Sequence, residues 1–112
     1  VSFKRGESNF TGKIDNNGDL TIKTAPIDGL MKQGKLKAPQ IIKIDVEGAE
    51  FSVLKGAMST IKQYHPIIFL AVHRFSENIH RDCCEFLKNL GYRLESLSNE
   101  SVENSDEIMA IY

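Results

Sequence analysis

Asp45, Glu47 and Glu50 crowd into six positions of the segment IIKIDVEGAE (41–50), and His73 and Arg74 follow a second apolar run in IIFLAVHRF (67–75). A carboxylate beside an imidazole can act as acid, base or proton relay, and it can also ligate a metal. Asp45 and Glu47 lie two residues apart, so they share a face for as long as a strand persists. If the two apolar runs are neighbouring strands, about 4.8 Å apart, Asp45 or Glu47 and His73 face one pocket. Each residue also has an ordinary reading. Glu47 and Glu50 fall where a helix would begin, and negative charge in a first helical turn is favoured by about 0.3–1 kcal/mol. Asp45 is an N-cap candidate, yet a carboxylate at the end of a buried strand must be paired or solvated in a cleft. It is the acid that folding alone absorbs least. His73 reads otherwise as a strand-end histidine bonded to backbone, Arg74 as an anion clamp or a solvated loop charge, and His65 and His80 as loop and helix-surface residues.

The elements that must position these groups alternate. NFTGKIDNNGDLTIKTAPI (9–27) reads as a hairpin around Asn17-Gly18, a strong turn signal. PIDGLMKQGKLKAP (26–39) reads as a short helical turn and a loop punctuated by Gly29, Gly34 and Pro39. IIKIDV is a short β-branched run. A helical pattern starts near Glu47, with Phe51, Leu54, Met58 and Ile61 on one face, and Gly56 breaks or kinks it. Pro66 closes that segment before IIFLAV. Continuous apolar runs of this kind mark strands covered on both faces, as in parallel sheets. Ser76 is an N-cap candidate for a further helix carrying Ile79, Cys83, Phe86, Leu87 and Leu90, and Gly91 is its stop. YRLESL and EIMAIY follow as two strands, too close for an intervening helix, and are expected to pair antiparallel. Strand, helix, strand, helix, strand, strand is the order of an α/β layered fold, whose ligands bind beyond the carboxyl ends of the parallel strands.

The 112 residues allow one domain with a modest core. A formal net charge of −1 with interspersed signs offers no basic footprint for nucleic acid, and Lys32, Lys35 and Lys37 read as solvated. No apolar run approaches the roughly 18 residues that span a bilayer, and no signal peptide is visible. Cys83 and Cys84 are adjacent, lack metal-ligand spacing and could be bridged only with strain; a reduced, cytoplasmic setting is expected. No nucleophile elbow, phosphate loop or glycine-rich cofactor turn occurs. The chain opens VSFKRGESNF without an initiator Met, and is expected to be a piece of a longer protein.

At IIKIDVEGAEFSVLKGA (41–57), followed by PIIFLAVH (66–73), the chain resembles the FkbM family of S-adenosylmethionine-dependent methyltransferases. TIKTAPIDGLM (21–31) is similar to that family's T-x-LD-x-L segment, with Ile27-Asp28 for Leu-Asp, so the resemblance covers residues 20–112. It implies a class I methyltransferase (Rossmann-like) fold, a mostly parallel sheet with an antiparallel last strand. Here residues 1–112 would form its C-terminal half, preceded by a β-hairpin, with the cofactor-binding N-terminal half absent. The resemblance further implies S-adenosylmethionine as cofactor, with its binding residues unassigned in this chain. It also implies O-methylation of a hydroxyl on a sugar, small-molecule or polyketide acceptor. The catalytic candidates are Asp45, as acceptor-orienting residue or base, with Glu47 and His73 in support, and no metal is assigned. Family members often carry Glu where this chain has Ala71, which puts His73's role and the acceptor choice in question. Two other readings stand beside this one. The chain is a non-catalytic half-domain or binding module, or Asp45, Glu47, Glu50 and His73 form a hard-metal hydrolase site, for which no spacing is diagnostic. A sheet lacking its neighbouring half would expose IIKIDV as an apolar edge, so self-association through that edge is expected.

Overall fold

The computed structural model describes residues 1–6 and 12–112. Two sheets form. The smaller joins β1 (Ser2–Arg5), β2 (Gly12–Ile14) and β3 (Leu20–Thr21) in the order β2-β1-β3, with both outer strands antiparallel to β1. The anticipated hairpin across Asn17-Gly18 is therefore corrected: β2 and β3 flank β1 and do not pair with each other. Residues 9–11 of that segment lie outside the described residues. A turn does form, with the Gly18 N–H donating to the Asp15 carbonyl at 3.0 Å and the Asn17 N–H to Asp15 Oδ1 at 2.9 Å. It carries the chain so close over β1 that a Cβ on Gly18 would stand 2.5 Å from the Phe3 backbone. Because glycine has none, the chain crosses β1 and lands on its other edge.

The larger sheet has the order β4-β5-β7-β6. β4 (Ile41–Ile44) and β5 (Ile67–Ala71) are parallel neighbours, while β7 (Glu107–Ile111) runs antiparallel to both β5 and β6 (Arg93–Ser96). The sheet is thus mixed, and the last two strands pair antiparallel, as their short connection requires. Between β4 and β5 the chain makes α2 (Glu50–Gly56) and α3 (Met58–Tyr64), which meet at Ala57; α1 (Ile27–Lys32) precedes β4 and α4 (Ile79–Asn89) follows β5. Leu54, Ala57, Ile61, Ile68, Leu87 and Ile108 are wholly buried, and Ile44 and Leu70 nearly so. Phe51 and Phe86 meet edge-to-face at 6.0 Å and join α2 to α4.

Several helix boundaries depart from expectation. The first helix after β4 begins at Glu50, because Glu47 and Gly48 adopt positive φ of 50° and 98°. The break at Ala57 rotates the following turn, which leaves Met58 exposed and off the expected stripe. Ser76 does not cap α4, which starts at Ile79 after Asn78 with no side-chain cap. His80 is buried rather than on the surface, with its Nε2–H given to the Ser105 carbonyl at 2.9 Å. Gly91 does stop α4: at φ 91° it lets the Tyr92 N–H reach the Leu87 carbonyl and its own N–H reach Lys88, both near 3 Å. Among the described residues no helix is long and apolar enough to cross a membrane.

Candidate active site

Parallel pairing of β4 with β5, in the register Ile44 to Leu70, brings the carboxyl ends of both strands to one edge. Asp45 leaves β4 there, and His73 follows β5 by two residues. The tight turn at Glu47-Gly48 folds the next carboxylate back toward the same place. Glu47 is therefore not on a strand face with Asp45, as the two-residue spacing anticipates, and the left-handed backbone brings the two together instead. His73 Nε2 stands 3.6 Å from Asp45 Oδ1 and 3.5 Å from Glu47 Oε1. Asp45 is open to solvent and also meets Lys43 Nζ at 3.3 Å.

Glu50 lies behind this group, wholly buried at 0% exposure. Its Oε1 accepts the Gly48 N–H at 3.0 Å and contacts His73 Nδ1 at 2.8 Å. A carboxylate oxygen only accepts, so Nδ1 carries the hydrogen and Nε2 is the atom turned to Asp45 and Glu47. Burial works against the charged ring. The hydrogen bond that His73 donates to Glu50 and the charges of Glu47, Glu50 and Asp45 outweigh it, and the His73 pKa stands above the usual histidine value.

Glu47 and Gly48 also line a cleft of about 830 Å³ between α2 and the small sheet, with Lys13, Pro26, Ser52 and Phe75 on its other sides. Phe75 is 63% exposed and lies nearly parallel to the His73 ring, 6.1 Å between centroids. Lys13 Nζ is 5.7 Å from the centre of the Phe75 ring. Gly48 is needed where it stands: besides its positive φ, a Cβ there would meet Phe75 Cδ2 at 2.6 Å. Arg74 turns away from the cleft, with Nε on Asp106 and Nη2 2.9 Å from the Glu103 carbonyl. It ties the loop before β7 and does not clamp an anion beside His73.

Residues 2–94 match the family described as the methyltransferase FkbM domain. The chain belongs to the FkbM methyltransferase domain family. A curated relative, the hexuronic acid methyltransferase AglP of Haloferax volcanii, is 38% identical over 61 residues, 54% of this chain and 26% of that protein. The match thus spans about a quarter of the length of that relative. No solved structure matches the chain.

Within this FkbM domain the cluster gathers Asp45, Glu47 and His73 and adds Glu50, which the helix-start reading explains away. Ala71, at the position where the resemblance leads one to expect Glu, is buried at the end of β5 opposite Glu107 of β7. Asp28 of the TAPIDGL segment (24–30) serves α3 rather than the cleft. Its Oδ2 accepts the Ser59 N–H at 2.9 Å, and its Oδ1 accepts the Thr60 N–H at 2.8 Å and the Thr60 hydroxyl at 2.7 Å.

Proposed function

We propose that the protein is an S-adenosylmethionine-dependent O-methyltransferase acting on a hydroxyl of a sugar or a related small-molecule acceptor. The observation that carries this reading is the imidazole of His73, locked by buried Glu50 and turned to two carboxylates beside an open cleft. The donor supplies an electrophilic methyl group. The turn after β4 offers no glycine-rich cradle for it: the turn is acidic, and the space beside Gly48 is filled by Phe75. No donor contact is therefore assigned to these residues, and their roles lie on the acceptor side.

There the work is alignment and removal of a proton. Asp45, exposed at the strand end, accepts the hydrogen bond of the acceptor hydroxyl and orients its oxygen. The proton leaves by way of Asp45 to His73 Nε2, 3.6 Å away. Glu47 faces the same nitrogen and favours the charged ring that results. The exposed Phe75 ring suits the apolar face of a sugar, and Lys13 nearby suits an acidic one. A relative named for hexuronic acid supports that choice of acceptor class.

The test is turnover of the full-length protein with S-adenosylmethionine and a panel of neutral and uronic sugars. Asp45→Asn is expected to lower kcat at least tenfold with the fold intact, and unchanged turnover would end the assignment. Lys13→Ala is expected to raise KM for uronic sugars more than for neutral ones.

A further inference from the structure

We propose that Asp45, Glu47 and His73 hold a single divalent cation of the magnesium or manganese kind beside the cleft. One donor atom from each of the three side chains lies within 4.8 Å of the others. At a metal–oxygen distance of about 2.1 Å, two ligands at right angles stand about 3 Å apart and two opposite ligands about 4.2 Å apart. The separations of 3.5 and 3.6 Å from His73 Nε2 fall between those values. They exceed the usual hydrogen-bond range of about 2.7–3.2 Å. The three groups converge on a common point without bonding to one another.

Glu50 is the second, independent observation. It is wholly buried, and it fixes Nδ1–H at 2.8 Å, so the free electron pair of the neutral ring is at Nε2 and faces two acceptors. Acceptor facing acceptor is unfavourable unless positive charge stands there, as a proton on Nε2 or as a cation between the groups, and separations longer than a hydrogen bond favour the cation. A buried carboxylate orienting a histidine from behind is also the usual outer support of a metal ligand. Its other oxygen, Oε2, is buried without a hydrogen-bond partner among the described residues. Two carboxylates and one imidazole, with solvent on the Asp45 side, favour a hard ion that keeps several waters. One of those waters can give way to an acceptor hydroxyl; with the ion in place Asp45 and Nε2 are its ligands, so the hydroxyl proton passes to solvent in place of the Asp45-to-His73 route. Only this catalytic consequence rests on the methyltransferase reading; the site does not.

The experiment uses Mn²⁺ alone, titrated into the full-length protein and followed by the loss of its free paramagnetic resonance signal. One ion per chain is expected. Asp45→Asn and Glu47→Gln, both at solvent-accessible positions, are expected to weaken binding at least tenfold, while Asp82→Asn on α4 leaves it unchanged. Absence of Mn²⁺ binding, or equal binding by all three variants, overturns the site. Methyl transfer is then assayed with chelator and with Mn²⁺ restored, and loss and recovery are expected. Transfer undiminished by chelator overturns the catalytic role of the ion and leaves the proposed function standing. Mn²⁺ binding without transfer to any offered acceptor supports the site and sinks the proposed function.

Discussion

Replacing Glu50 by Ala removes the partner of two donors at once, the Gly48 N–H and His73 Nδ1–H. A buried donor left without a partner costs about 1–3 kcal/mol. Glu50→Ala is therefore expected to lower the urea midpoint clearly, whereas Glu50→Gln, which keeps a carbonyl acceptor, stays closer to the parent in stability and loses activity. Equal stability of the Ala variant would show that this pairing does not form. The reading of Glu50 as helix-start charge has a clear cause. Its place in the first turn accounts for a charge there without reference to the face it occupies. Counting back four from Leu54 through Ala57 and Ile61 instead places Glu50 on the buried face, a spacing visible in the sequence. Asp45, Glu47 and His73 were legible because each sits just past an apolar run. A second residue-scale prediction concerns Cys83. Burial, with smaller contributions from Glu50, Cys84 and Asp82, pushes its thiol up to about 12. At pH 8 the native protein is expected to leave Cys83 unmodified by thiol reagents that label it within minutes in denaturant; rapid native labelling would contradict its burial.

Two elements depend on single residues from elsewhere in the chain. α3 has no side-chain cap of its own, and Asp28 on α1 supplies one across more than thirty positions. Burial raises the Asp28 carboxyl, but the hydrogen bonds from Ser59 and Thr60 outweigh it and hold the pKa below the usual carboxylate value. Asp28→Ala is expected to cost about 1 kcal/mol, the usual worth of a cap, measured by urea unfolding at pH 7. Because the folded pKa is depressed, this contribution is present above the unfolded carboxyl value near 3.8 and is lost as pH falls through the lower folded one. The difference between parent and variant should shrink at strongly acid pH, and a constant difference would rule out the ionised cap. The other element is the Glu47-Gly48 turn. Alternation and β-branching made the strands and their pairing legible, but a left-handed Glu47 is not written in residue type. Only Gly48 marks the turn, and Gly56 draws attention to a break that falls one residue later. Gly48→Ala must carry a side chain at φ 98° against Phe75, a backbone cost of about 1–2 kcal/mol, and it is expected to lower activity more than stability by displacing Glu47.

The sheet as a whole ends on β4. Among the described residues the strand pairs only with β5, which leaves its outer edge without a neighbouring strand beside Ile41, which is 59% exposed. The alternation of the sequence made the mixed sheet readable. The covering of β4 on both faces was not, because continuous β-branched runs look alike in a central strand and in an edge strand. Three of the four β4 residues are isoleucine and Lys43 is its one charge, so the edge remains a template for another strand, blunted at that one position. The 112-residue chain by itself is therefore expected to self-associate in a concentration-dependent way, through β4 and not through the small sheet. Ile41 faces solvent, so Ile41→Lys removes little packing while placing a charge where a second strand would pair. Sedimentation of the two chains at matched concentrations distinguishes the outcomes. A shift toward monomer in the Lys variant is expected. A parent chain that stays monomeric across the concentration range, or association untouched by the substitution, would place any contact elsewhere than this edge.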